Sequence, residues 1–173
     1  MRFALSFLLP VLLWACSDAA EKEALNEAEV KEELAQLKLQ PGEWETRTEV
    51  RSVSAPGVPA DALEGAQRSQ VTRSCLTPEQ AANPDPGLLT GNRDGGCRAE
   101  RLRMDGGRID GRVICRPQGL PGTAVAELDG SYTRTAFRTG VKSRVDLTGL
   151  PDIDVDVVVA SRRVGECATG GNA

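Results

Sequence analysis

Cys97-Arg-Ala-Glu-Arg-Leu-Arg-Met-Asp-Gly-Gly-Arg-Ile-Asp-Gly-Arg-Val-Ile-Cys115 reads as two short strands folded back on a glycine turn. Folding about Gly106 with a three-residue loop sets Cys97 opposite Cys115. Facing Cα atoms in a non-hydrogen-bonded antiparallel pair lie ~4.5 Å apart, within the range of a disulfide. A two-residue turn on Asp105-Gly106 or Gly106-Gly107 would shift the register by one residue and part the cysteines, so the three-residue loop is the expectation.

Period-two patterning extends outward from this hairpin. Downstream, Val125 to Phe137 and Gly140 to Leu147 read as strands separated by a bend at Arg138-Thr139. The clearest strand follows, with Ile153, Val155, Val157 and Val159 alternating with Asp152, Asp154, Asp156 and Val158. Upstream, Trp44, Thr46, Thr48 and Val50 alternate with charged residues, a loop spans 52–65, and 67–75 return as a strand. Thr77-Pro78-Glu79-Gln80 supplies a capping box with proline at the first helical position, a short helix that Asn83-Pro84 stops. Residues 84–96 read as a polar, glycine-rich loop. The expected fold is mainly β: an antiparallel meander of about seven strands forming a curved sheet or open barrel, with one short helix after strand two.

The N-terminus sets the compartment. Arg2, an apolar run from Phe3 to Trp14, and Leu13-Trp14-Ala15-Cys16 form a secretion signal of residues 1–15 ending at a lipid-acceptor cysteine. Twelve apolar residues interrupted by Pro10 are too few to span hydrocarbon, which takes ~20. Leu13-Trp14-Ala15-Cys16 resembles the lipobox of bacterial lipoproteins, which implies lipid on Cys16; Ser17, where an aspartate is associated with inner-membrane retention, favours the outer membrane. Residues 16–40 are expected to be the lipidated N-terminus and a helical tether, since 19–39 are rich in strong helix formers and Pro41-Gly42 ends them. Its apolar stripe is narrow, Val30, Leu34 and Leu37, so only the last turns have anything to bury. Residues 41–173 form the β domain.

With Cys16 set aside, Cys75, Cys97, Cys115 and Cys167 are even in number in a chain bound for an oxidising compartment, which implies two disulfides. The hairpin pairs Cys97 with Cys115 and leaves Cys75 for Cys167. Dispersed cysteines without a CxxC spacing, in a chain with no histidine, do not suit a zinc site.

Composition removes other classes. The formal charge of −4, or −5 once Arg2 is cleaved, gives no case for nucleic-acid binding. Trp44, Tyr132 and Phe137 are the aromatic residues left after the signal, too few for a stacking platform. The absence of histidine removes Ser-His-Asp and Cys-His catalysis, and no phosphate-binding glycine motif opens a helix. No enzyme activity, catalytic residue or cofactor is expected. Asp152, Asp154 and Asp156 share one strand face ~7 Å apart. Calcium would take such oxygen ligands, but one flat strand does not surround an ion; pairing with Arg138, Lys142 or Arg144 is the plainer reading.

Pro41-Gly42-Glu43-Trp44-Glu45, Ser74-Cys75-Leu76-Thr77-Pro78-Glu79-Gln80, Cys97, Cys115, Leu128-Asp129-Gly130-Ser131-Tyr132 and Arg163-Val164-Gly165-Glu166-Cys167 occur in an order that resembles the family called domain of unknown function 3617. Glu43 departs from the apolar residue expected there. The resemblance covers 41–167 and implies an exported proteobacterial protein; it transfers no catalytic residue.

The leading functional expectation is therefore an envelope lipoprotein on the periplasmic side, held to the membrane by its N-terminal lipid and serving as a non-catalytic interaction or envelope-maintenance module toward a periplasmic protein partner. The alternative is a periplasmic β-barrel that binds a small ligand. A filled interior favours the first, and an open cavity of ~300 Å³ or more favours the second.

Overall fold

The computed structural model describes residues 25–90, 96–116 and 121–168. Cys16 and the signal segment lie outside the described residues. Seven strands, β1 (Gly42–Ser54), β2 (Ser69–Leu76), β3 (Cys97–Asp105), β4 (Arg108–Cys115), β5 (Gly122–Tyr132), β6 (Ala136–Leu147) and β7 (Ile153–Gly165), form one antiparallel sheet in the order β2-β1-β7-β6-β5-β4-β3. β2 and β3 do not pair with one another, so the sheet is open rather than a closed barrel.

The β3–β4 hairpin reaches the expected cysteine pairing by another route. Asp105 pairs with Arg108 across a two-residue Gly106-Gly107 turn, and both glycines have positive φ, +55° and +79°, the conformation that a tight primed turn demands. The register then shifts between Ala99 and Arg101, leaving Glu100 as the extra residue of a β-bulge. That single residue cancels the offset, and Cys97 again faces Cys115. The expected three-residue loop is thus replaced by a shorter turn plus a bulge.

The bend between β5 and β6 also differs from expectation. It falls at Thr133-Arg134-Thr135, and Phe137 belongs to β6. Thr133 Oγ1 accepts from the N–H groups of Thr135 and Ala136 at 3.3 and 3.1 Å, a hydroxyl-capped turn that needs no glycine or proline.

One face of the sheet is apolar. Trp44, Val159, Phe137, Leu128, Ile109 and Val113 are buried there, and three pieces cover them. The first is helix α1 (Glu27–Ala35), started by a capping box in which Asn26 accepts from Ala28 and Glu29 N–H at 3.0 Å and Glu29 accepts from Asn26 N–H at 2.8 Å. It is shorter than the 19–39 span expected, and its described part docks: Val30 and Leu34, with Leu37 and Leu39 beyond the helix, join the core. The Glu33 carboxylate accepts from Met104 N–H at 2.8 Å and Leu25 N–H donates to Glu100 O at 3.4 Å, which laces this segment along the outer edge of β3.

The other pieces lie in the segment that carries the chain from the β2 edge to the β3 edge. Within the 52–65 stretch, β1 runs on to Ser54 and is followed by the short α2 (Ala60–Leu63). After β2 comes α3 (Pro78–Ala82), with the Thr77/Gln80 capping box at 3.2 and 3.0 Å. The expected loop then contains α4 (Gly87–Thr90), whose Leu89 is fully buried in the core.

Hydroxyls sit among these apolar groups. Thr46 Oγ1 and Ser161 Oγ share a hydrogen bond of 2.8 Å. Thr139 Oγ1, fully buried, has no hydrogen-bond partner among the described residues. An orphaned buried hydroxyl costs ~1 to 3 kcal/mol, whereas an apolar group of the same shape does not. Thr139→Val is accordingly expected to raise stability by about 1 kcal/mol, read as a higher urea midpoint at unchanged slope.

Candidate functional site

The face opposite the core is a grid of charges set by the strand registers. On β3, β4 and β5, Arg101 bonds Asp110 at 3.2 Å and Glu127 at 3.4 Å, while Arg112 bonds Glu100 at 2.9 Å and also Glu127. Across β2, β1 and β7, Glu45 takes Arg73 at 2.9 Å and Arg162 at 2.8 Å. The Arg162 and Arg73 guanidiniums hold the Glu45 carboxyl below the usual carboxylate range.

A depressed carboxyl pKa contributes stability that is present above the unfolded value, ~4.3 for a glutamate, and is lost as pH falls through the folded value. The gap in thermal midpoint between the wild type and Glu45→Gln is therefore expected to be present at neutral pH and to close in acid. A pH series of thermal melts checks it. Both arginines are well exposed, so salt should narrow the gap at neutral pH as well.

Asp154 and Asp156 lie on this face of β7, while Asp152, expected on the same strand, precedes it because β7 begins at Ile153; all three border one depression, and they do not form an ion cage. Asp154 is engaged by Arg144 at 2.9 Å, and Asp156 stands opposite Lys142. Among the described residues no group of three or more carboxylates, cysteines or histidines is placed to hold a metal ion. Two depressions of about 600 and 730 Å³ open broadly on this charged side, walled by residues such as Arg138, Lys142, Glu127 and Asp156.

On the apolar side a smaller and more enclosed cavity of about 180 Å³ lies beneath the α3–α4 segment. Trp44, Phe137, Leu39 and Leu88 form its apolar walls, and Ser74, Cys75 and Leu76 line it from β2. Trp44 is fixed there by Phe137, 6.3 Å away between ring centres at a tilt of 31°, and by its Nε1–H, which donates to Gln40 O at 3.0 Å. The strand alternation places Trp44 on the apolar face, but local periodicity gives no sign of the other walls beyond the Leu88-Leu89 pair inside a polar stretch.

Cys75 and Cys167 sit within disulfide reach, with Cα atoms 5.4 Å apart, as do Cys97 and Cys115 at 4.0 Å. The first pair fastens β2 to the segment leaving β7, across β1.

These features define a cysteine-stapled open β-sheet domain with one charged face, one covered apolar face and a small apolar cavity near the β2 edge. The chain belongs to the family described as Protein of unknown function (DUF3617), whose model matches residues 39–167, from the buried Leu39 to the last cysteine. No curated protein and no solved structure matches it.

Proposed function

We propose that this chain is an envelope lipoprotein, anchored by lipid on Cys16 to the periplasmic side of the outer membrane, whose β domain is a non-catalytic module for binding a periplasmic protein. What carries the reading is the division of the molecule. Apart from the small cavity beside Trp44, the apolar face is packed with side chains and covered, while the opposite face is a broad, open array of both charge signs. Small ligands are held in sites that bury most of their surface, which open depressions do not do. They suit a macromolecular surface of complementary charge. Four cysteines poised as two pairs fit an oxidising compartment. Photo-crosslinking in intact cells from positions on the charged face and the sheet edge tests the module reading. A defined protein adduct is expected, and its absence from every position would count against it.

A second reading, a small-ligand carrier, is favoured by the Trp44–Phe137 cavity. Its volume, about 180 Å³, falls short of the ~300 Å³ at which typical ligand sites begin. Native mass spectrometry separates the two readings: a carried ligand appears as added mass on protein taken from the envelope.

A further inference from the structure

We infer that the outer edge of β2 is the partner site, and that it takes up an extended peptide as an added strand, with acidic residues on one side of the peptide and an apolar residue on the other. The inference deepens the module reading and rests on it.

The two edges of the sheet are treated differently. Along β3, the backbone groups of Glu100 and Met104 that face away from β4 are engaged by Leu25 and Glu33. Along β2, residues 69–73 are exposed throughout. The bond from Val50 N–H to Arg68 O, carried through the constant register from Glu49–Ser69 to Gly42–Leu76, turns the even-numbered residues of β2 toward β1. The N–H and C=O groups of Ser69, Val71 and Arg73 therefore point outward, and no described group meets them. Sheet edges are usually blunted by charged side chains, proline, bulges or a covering element; the one charge on β2, Arg73, is turned inward onto Glu45 of β1, and among the described residues this edge has no proline, bulge or covering strand.

Side chains give the peptide its chemistry. The cavity lies on the apolar side of β2, reached past Ser74 and Leu76, and about 180 Å³ suits one aromatic or branched aliphatic side chain. On the charged side stand Arg73 and, opposite Val71 on β1, Arg47, which has no ion-pair partner among the described residues. Residues 68–76 contain two arginines and no acid. Alternate residues of an added strand point to opposite faces, so a peptide that alternates carboxylates with apolar residues meets both features at once. A second copy of β2 would bring only cations. Backbone pairing with pockets for alternate side chains is an established way to read a peptide.

The test pans a displayed library of random twelve-residue peptides on the full mature chain. The expected winners alternate Glu or Asp with apolar residues, and their affinity falls at least tenfold on Val71→Pro. That proline removes an N–H turned away from β1, and circular dichroism with thiol titration verifies that the variant folds. Val71→Lys is the second edge variant and is expected to act the same way. Arg47→Glu is expected to exchange the acidic preference for a basic one. Winners without alternation, binding untouched by both Val71 variants, no enrichment, or a wild-type dimer that Val71→Pro splits would each overturn the proposal. In-cell crosslinking of Val71→Pro separates the two levels. A partner still captured through the charged face keeps the module reading and removes the edge, whereas no partner with the wild type removes the module reading itself.

Discussion

Replacing Cys75 and Cys167 together by serine is expected to lower the unfolding free energy by about 4 to 5 kcal/mol, the chain-entropy value for a closed loop near a hundred residues. The two positions are 92 residues apart, and the link ties β2 to the segment after β7, which are otherwise joined through β1. β2 pairs with β1 alone, at the rim of the sheet, and its side chains bury little. Without the bridge its retention depends on that ladder and on the Arg73–Glu45 pair, an exposed contact of the kind worth ~1 kcal/mol or less. Amide exchange should therefore rise first in β2 and the adjoining half of β1, while β4 to β6 stay protected. The Cys97–Cys115 link closes a much shorter span of 18 residues and is expected to contribute less, ~3 kcal/mol. Denaturant titrations of the two double-serine variants against the oxidised wild type give both values.

Trp44→Ala is the second large effect, with an expected loss of about 3 to 5 kcal/mol. Trp44 is 3% exposed and anchors the end of the core where β1, β6 and the α3–α4 segment meet. Truncation removes the indole from Phe137 and takes away the Nε1–H that bonds Gln40 O. It would also enlarge a cavity already present, and the α3–α4 cover can collapse into it only in part, since the fully buried Leu89 already holds α4 in the core. Trp44→Phe should cost clearly less, because a ring still meets Phe137 while only the hydrogen bond and part of the volume are lost. Calorimetric or denaturant unfolding, read by far-ultraviolet circular dichroism, distinguishes the two variants without relying on the removed fluorophore.

The strands were legible where one face is apolar. The Thr77/Gln80 capping box appears in the fold as read, and the stretch from Ile153 to Val159 is strand, although β7 leaves out Asp152 and runs on to Gly165. Local pattern misleads where two features compensate. A two-residue turn and the Glu100 bulge together preserve the Cys97–Cys115 pairing, so that pairing could not reveal either one. The trace of the bulge was present in the spacing of the buried residues, Ala99, Leu102 and Met104, which steps by three before it steps by two. The turn at Thr133-Arg134-Thr135 was hidden because a threonine hydroxyl does the work usually given to glycine, and β-branched residues read as strand.

The candidate site was less legible than the sheet. Which strand lies at an open edge depends on the order β2-β1-β7, a pairing of β1 with a strand more than a hundred residues downstream. The cavity likewise gathers Trp44, Leu88, Phe137 and Ser161 from four separate parts of the chain. Local periodicity carries no signal for either. The aspartates of β7 were visible in sequence, and the registers with Arg144 and Lys142 give Asp154 and Asp156 cationic neighbours on the sheet.

Export underlies both the anchor and the cysteine bridges, and it is tested most directly by intact mass and non-reducing peptide mapping of the protein purified from its native envelope. The expected result is a chain beginning at an acylated Cys16, with no free thiol and with bridged peptides joining Cys75 to Cys167 and Cys97 to Cys115. A chain that begins at an unmodified Met1 and carries reduced cysteines would contradict it.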